Sequence, residues 1–212
     1  SEDDRARFIE RGIAASKVQV VPNGIDPEVL HPDEQLRAAT RRELGIDDGT
    51  RLLLFFGQLD YQPNREALHV IADEVLPRVD ASGADVRIVI TGKRPPVLAG
   101  LFEHPRVTYA GVVPSMLPYL NAADVVMAPL LSGGGTRLKL LESIACGTPV
   151  VSTTAGAEGV DRAACGDLLV VEDGWDSFVK RLLDREHVKR GNVPAPFLDM
   201  YSWANIVRRI DW

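Results

Sequence analysis

The residues best suited to chemistry lie in one run: Ser132-Gly133-Gly134-Gly135-Thr136-Arg137-Leu138-Lys139-Leu140-Leu141-Glu142-Ser143-Ile144-Ala145-Cys146-Gly147-Thr148-Pro149-Val150-Val151-Ser152. Three glycines free the backbone to turn its N–H groups toward an anion, and from Thr136 onward the pattern predicts a helix whose positive N-terminus faces that anion. A diphosphate fits such a place. Lys139 and Glu142 stand at i and i+3, so both heads share one helix face, while Leu138, Leu141 and Ala145 are expected to form the apolar stripe. One cation for phosphate and one carboxylate for hydroxyls is the equipment of a sugar-nucleotide site. The same spacing also fits a plain tight turn followed by an exposed ion pair of small energetic value. Spacing alone leaves both readings open.

The elements around this run decide what could position it. Arg5 to Gly12 is polar and helix-like, Val18-Gln19-Val20-Val21 has the composition of a short strand, and Pro22-Asn23-Gly24 is a turn signal. Arg51 to Phe56 is a continuous apolar strand ending at Gly57, and Pro63 to Val79 has helical periodicity with Ala67, Leu68, Ile71, Val75 and Leu76 inward. Val86 to Ile90 before Gly92 reads as strand, followed by a short helix near Pro96 to Phe102. Val107 to Tyr109 is strand, Pro114 to Ala122 helix, and Asp124 to Ala128 strand. Gly147 and Pro149 stop the helix that carries Lys139, and Val150 to Thr153 is strand again. Leu168 to Val171 makes the last strand, before a helix from Trp175 to Asp184.

Strands and helices alternate without hairpin signals, which predicts an α/β fold: a doubly wound, mostly parallel, Rossmann-like sheet covered on both faces. Ligands of such sheets lie beyond the carboxyl ends of the strands. Gly57, Gly92, Gly111 and Gly133 to Gly135 stand at those ends, so a nucleotide is expected there. Gly57 opens into Gln58-Leu59-Asp60-Tyr61-Gln62 rather than a Gly-x-Gly-x-x-Gly fingerprint, and there is no Gly-Lys-Ser/Thr loop. A nicotinamide dehydrogenase and a P-loop nucleotidase both lose ground.

Composition narrows the field further. The chain has 212 residues, 45% of them hydrophobic, enough for one large domain or one with appendages. A net charge of −6, with no basic stripe interleaved with aromatics, argues against nucleic acid as a partner. No apolar run approaches the length of a membrane span and no signal peptide opens the sequence, so the expected location is cytoplasmic. Cys146 and Cys165 are isolated from any Cys-x-x-Cys pattern, and Cys146 reads as a buried small hydrophobe. His31, His69, His104 and His187 share no ligand spacing, so no bound metal is expected.

The order of motifs is recognisable. Val20-Val21-Pro22-Asn23-Gly24-Ile25-Asp26, Phe56-Gly57 with Tyr61-Gln62-Pro63-Asn64, Thr91-Gly92, Gly111-Val112-Val113 before Ala122-Ala123-Asp124, and Gly133 to Val151 together resemble the donor-binding, C-terminal half of GT-B glycosyltransferases of family 4, the group 1 type. Tyr201-Ser202-Trp203 before a final amphipathic helix resembles the family's closing segment. The resemblance implies three regions: 1–32 as the tail of an absent N-terminal domain with a linker, 33–190 as a Rossmann-like donor domain, and 191–212 as a closing helix. The start at Ser1, inside a helix-like segment, is expected to reflect truncation.

The resemblance also implies roles. Lys139, Arg137 and the amides of Gly133, Gly134, Gly135 and Thr136 would hold a donor diphosphate and neutralise it as the glycosidic bond breaks, with no metal required and no tightly bound cofactor. Glu142 matches the second glutamate of the family's Glu-x7-Glu motif and would hold the ribose. Gly111, Val112 and Val113 would meet the base through the backbone, with Arg94 beside it, although a solvated loop arginine is the alternative for Arg94. The first motif glutamate is replaced by Gly134, so sugar contacts fall to loop amides or to Ser132, and the basic residue often found after the first strand's glycine is Gln58. Asn64 is read as helix-start chemistry ahead of a site role, and Glu158 as a turn or helix-start acid.

The implied substrate is a UDP- or GDP-linked sugar, transferred with retention by an enzyme of hexosyltransferase type whose own N-terminal domain binds the acceptor. The resemblance leaves room for a membrane-associated acceptor and for a full-length protein peripheral to the inner face of the membrane. The chain alone is expected to be inactive. A non-catalytic nucleotide-sugar binding or scaffold module, and a fragment of a sugar-nucleotide epimerase, remain the alternatives.

Overall fold

The computed structural model describes residues 2–93, 99–133 and 137–210. Along the chain, the helices are α1 (Glu2–Glu10), α2 (Glu34–Glu43), α3 (Gln62–Val70), α4 (Leu76–Ser82), α5 (Ala99–Glu103), α6 (Leu117–Ala122), α7 (Leu138–Ala145), α8 (Arg162–Cys165), α9 (Trp175–Leu183), α10 (Ala195–Tyr201) and α11 (Trp203–Arg208). The strands are β1 (Arg51–Phe56), β2 (Val86–Thr91), β3 (Val107–Gly111), β4 (Val125–Ala128), β5 (Val150–Ser152) and β6 (Leu169–Val171). They form one six-stranded sheet of order β3-β2-β1-β4-β5-β6, parallel at every pairing.

Alternation along β1 divides the core. Leu52, Leu54 and Phe56 pack with Leu140, Leu141 and Ile144 of α7 on one face, and Leu53 and Phe55 pack with Leu68 and Ile71 on the other. The sheet is therefore buried on both sides, as continuous apolar strands require. The strand order reverses direction between β1 and β4, and the loops after these two neighbouring strands diverge to opposite faces. That divergence opens a crevice at their carboxyl ends.

Several expectations are corrected. Among the described residues Val18–Val21 pairs with no strand; the nearest pairing is an isolated parallel bridge between Ile25 and Ser202. The predicted helix from Pro63 to Val79 is interrupted by a π turn, Ile71–Val75, just before Pro77, which has no N–H to donate to the preceding turn. The helix predicted from Thr136 is seen from Leu138, with Arg137 as its extended N-cap (φ −81°, ψ 94°). Leu138 is 47% exposed and leaves the apolar stripe, which Leu140, Leu141, Ile144 and Ala145 form instead.

The highly charged α2 is an element that hydrophobic periodicity does not reveal. Asp33 caps it by accepting from the Leu36 N–H at 2.8 Å, and Arg37 and Arg41 reach from it to the carbonyls at the end of α6 and to the Asp124 carboxylate. Burial alone would raise the Asp124 pKa, but the Leu52 N–H and the two guanidinium groups overcome it and hold the carboxyl below its ordinary value. This half-buried pairing locks α2 and α6 to the start of β4.

Candidate functional site

The crevice beyond β1 and β4 holds a cleft of about 410 Å³ lined by Phe56, Gly57, Tyr61, Pro63, Asn64, Met116, Leu130, Arg137, Leu138, Lys139 and Glu142. Four of the sequence-predicted residues, Gly57, Arg137, Lys139 and Glu142, thus meet in one place. Lys139 leaves the first turn of α7 and crosses the end of β1, so that Nζ lies 4.4 Å from the centroid of the Phe55 ring and donates to Asn64 Oδ1 at 2.8 Å. Burial and the neighbouring Arg137 lower its pKa to about 7, an effect that Glu142 partly offsets. Burial raises the Glu142 pKa, with Lys139 opposing. No solvated surface pair behaves this way, and the exposed ion pair is not what the structure shows.

Arg137 is only 8% exposed. Its Nη2 donates to the carbonyls of Ser132 at 3.2 Å and Ala155 at 3.3 Å, while its buried Nε has no hydrogen-bond partner among the described residues. A buried donor left over costs free energy unless a ligand takes it. Gly133, at φ +111°, passes so close that a Cβ there would stand 2.5 Å from Arg137 Nη1. The positive φ favours glycine here, and a side chain would push the end of the guanidinium aside. Ser132 Oγ in turn donates to Glu66 at 2.6 Å, which moors the loop to α3.

Helix-start chemistry is not what occupies Asn64. Its Nδ2 donates to the Gln58 carbonyl at 2.8 Å while Oδ1 accepts from Lys139, and Tyr61 begins α3 without a side-chain cap. The signal in the sequence is its place in Tyr61-Gln62-Pro63-Asn64, shortly after Gly57. Gly111, Val112 and Val113 sit at the end of β3, outside the cleft lining, with Val112 76% exposed. Glu158 accepts from Arg7 at 2.9 Å, tying α1 to the loop after β5. Arg94, Gly134, Gly135 and Thr136 lie outside the described residues.

A family model described as glycosyl transferases group 1 matches residues 50–185, more than half of the chain. The chain belongs to the group 1 glycosyltransferases. It is 28% identical over 211 residues to the D-inositol 3-phosphate glycosyltransferase of Mycolicibacterium smegmatis, an alignment covering 91% of this chain and 46% of that protein. Among solved structures it resembles Anabaena HepE in complex with UDP and glucose, with a TM-score of 0.75 at 17% identity over 99% of this chain and 60% of that one. It also resembles the C-terminal domain of a group 1 glycosyl transferase family protein from Francisella tularensis, with a TM-score of 0.57 at 17% identity over 84% of this chain and 96% of that one. The chain spans about half the length of the curated relatives it matches. The Rossmann-like sheet is that of the C-terminal domain of a GT-B group 1 glycosyltransferase. Among the described residues no helix is long and apolar enough to cross a membrane.

Proposed function

We propose that this chain is the donor-binding half of a retaining glycosyltransferase, moving a sugar of hexose type from a nucleoside diphosphate to an acceptor held by a separate N-terminal domain. The observation that carries the reading is the pair of cations in the cleft: a Lys139 ammonium presented at the switch point of the sheet, and beside it a buried Arg137 whose Nε has no hydrogen-bond partner among the described residues. Such groups match the diphosphate leaving group. As the bond from sugar to phosphate oxygen breaks, its electron pair stays on the diphosphate, and preorganised cations hold that growing charge more strongly than the ground state. Glu142, on the same face of α7, is assigned to the ribose diol, and the backbone of Gly111 to Val113 to the base. The UDP bound in the Anabaena structure, whose fold this chain shares, supports a nucleotide-linked donor.

Titration of the chain with UDP, GDP and ADP by calorimetry tests this. One nucleotide is expected to bind with a Kd on the order of micromolar to sub-millimolar, and Lys139→Ala should abolish that binding. A folded Lys139→Ala variant that binds as tightly as the parent would overturn the reading.

A further inference from the structure

Asn64 is buried, at 8% exposure, and both ends of its amide are committed. The Gln58 carbonyl can only accept and the Lys139 ammonium can only donate, so the amide has one possible orientation. Lys139 carries a long, flexible stem whose ordering costs rotamer freedom. Two uncharged groups fix its end: the Phe55 ring from β1 and the Asn64 oxygen from α3. The charged groups that act on it are Arg137 and Glu142.

We propose that Asn64 is a positioning residue of the donor site: its amide fastens the turn after β1 to Lys139 and sets where the ammonium stands in the cleft. The proposal rests on the assignment of Lys139 to the donor diphosphate. One of the three ammonium N–H groups goes to Asn64, which leaves two for phosphate oxygens. A neutral acceptor suits this position better than a carboxylate, which would orient the lysine but cancel the charge needed by the diphosphate. The hydrogen bond also favours the protonated lysine, working against the burial and the Arg137 field that lower its pKa to about 7. Gly57 completes the arrangement, because at its φ of +136° a Cβ would stand 3.2 Å from Asn64 Nδ2.

The test compares wild type, Asn64→Ala, Asn64→Asp and Lys139→Ala. Calorimetry with UDP, GDP and ADP between pH 6 and pH 9 reads binding, and the NMR titration of the Lys139 ε-carbon reads protonation. Asn64→Ala should weaken nucleotide binding about tenfold at neutral pH and move the Lys139 midpoint down. Asn64→Asp should move it up while still weakening binding. Opposite shifts of that kind do not arise from a general loss of structure. If both variants keep the wild-type midpoint and affinity while Lys139→Ala loses the nucleotide, Asn64 has no positioning role and the donor assignment stands. If Lys139→Ala binds as wild type does, the donor assignment itself fails and the proposal with it.

Discussion

Replacing Lys139 by methionine should stabilise the ligand-free protein while removing its grip on a nucleoside diphosphate. The folded protein holds the ammonium at a pKa of about 7 instead of 10.5, and at about 1.4 kcal/mol per pKa unit this sets a ceiling near 5 kcal/mol on the cost of carrying the charge there. Part of the side chain reaches solvent, and methionine leaves Asn64 Oδ1 without its donor, which returns about 1 kcal/mol. A net gain of about 2 kcal/mol is expected near pH 6, or about 4–8 °C in Tm for a domain of this size. Below pH 7 both folded and unfolded states carry the proton and the full cost stands. Between pH 7 and 10.5 the folded state releases its proton before the unfolded state does, so wild-type stability recovers and the advantage of methionine shrinks. Urea melts of both proteins at pH 6 and pH 9.5 measure this. A variant no more stable than wild type at pH 6, or a gain equal at both pH values, would refute the reasoning.

Gly133→Ala should cut nucleotide affinity on the order of tenfold by calorimetry, with about 1 kcal/mol lost in stability, because the new Cβ strikes Arg137 and the φ of +111° disfavours an L side chain. Asp124→Asn should cost about 2 kcal/mol in denaturant melts, since two arginines on α2 lose their half-buried counter-charge. The Asp124 carboxyl sits below its ordinary pKa, so its contribution stands at neutral pH and fades as pH falls through the folded-state value. The variant's stability should therefore fall less steeply with acid. Cys146 and Cys165 are both buried with thiols pushed up to about 12, so neither should react with a thiol reagent at pH 8 until urea unfolds the chain. Rapid labelling of the native protein would contradict that burial.

What is legible in the sequence follows from how local each signal is. Short apolar runs mark all six strands to within about two residues, three of them ending at or beside a glycine (Gly57, Gly92 and Gly111), and the most continuous runs belong to strands such as β1 and β4 that are buried on both faces and need no alternation. A parallel sheet puts the carboxyl ends of its strands along one edge, and Gly57, Arg137, Lys139 and Glu142 line one cleft there, while the strand order that fixes the switch point is seen only in the structure. Long-range polar pairing leaves no periodic trace. Glu34–Glu43 is rich in charge, yet Arg41 is 4% exposed because it pairs with Asp124 and the Ala122 carbonyl far along the chain and with the nearby carbonyls of Asp47 and Thr50. Sequence places Asn64 in the right turn but suggests a local role, since its partner Lys139 lies on another helix. Leu138 follows helical spacing but stands in the first turn of α7, where the helix meets the cleft instead of the core. Val18–Val21 has strand composition but no strand partner among the described residues, and composition cannot supply one.

The most direct test of the central claim is a crystal structure of this chain with the nucleoside diphosphate that binds it best. Diphosphate oxygens are expected within hydrogen-bonding distance of Lys139 Nζ and Arg137 Nε, and ribose hydroxyls on Glu142. A nucleotide seated elsewhere, such as the apolar cavity of about 460 Å³ beside Val160, Tyr201 and Ile206, with the β1–β4 crevice empty, would contradict it.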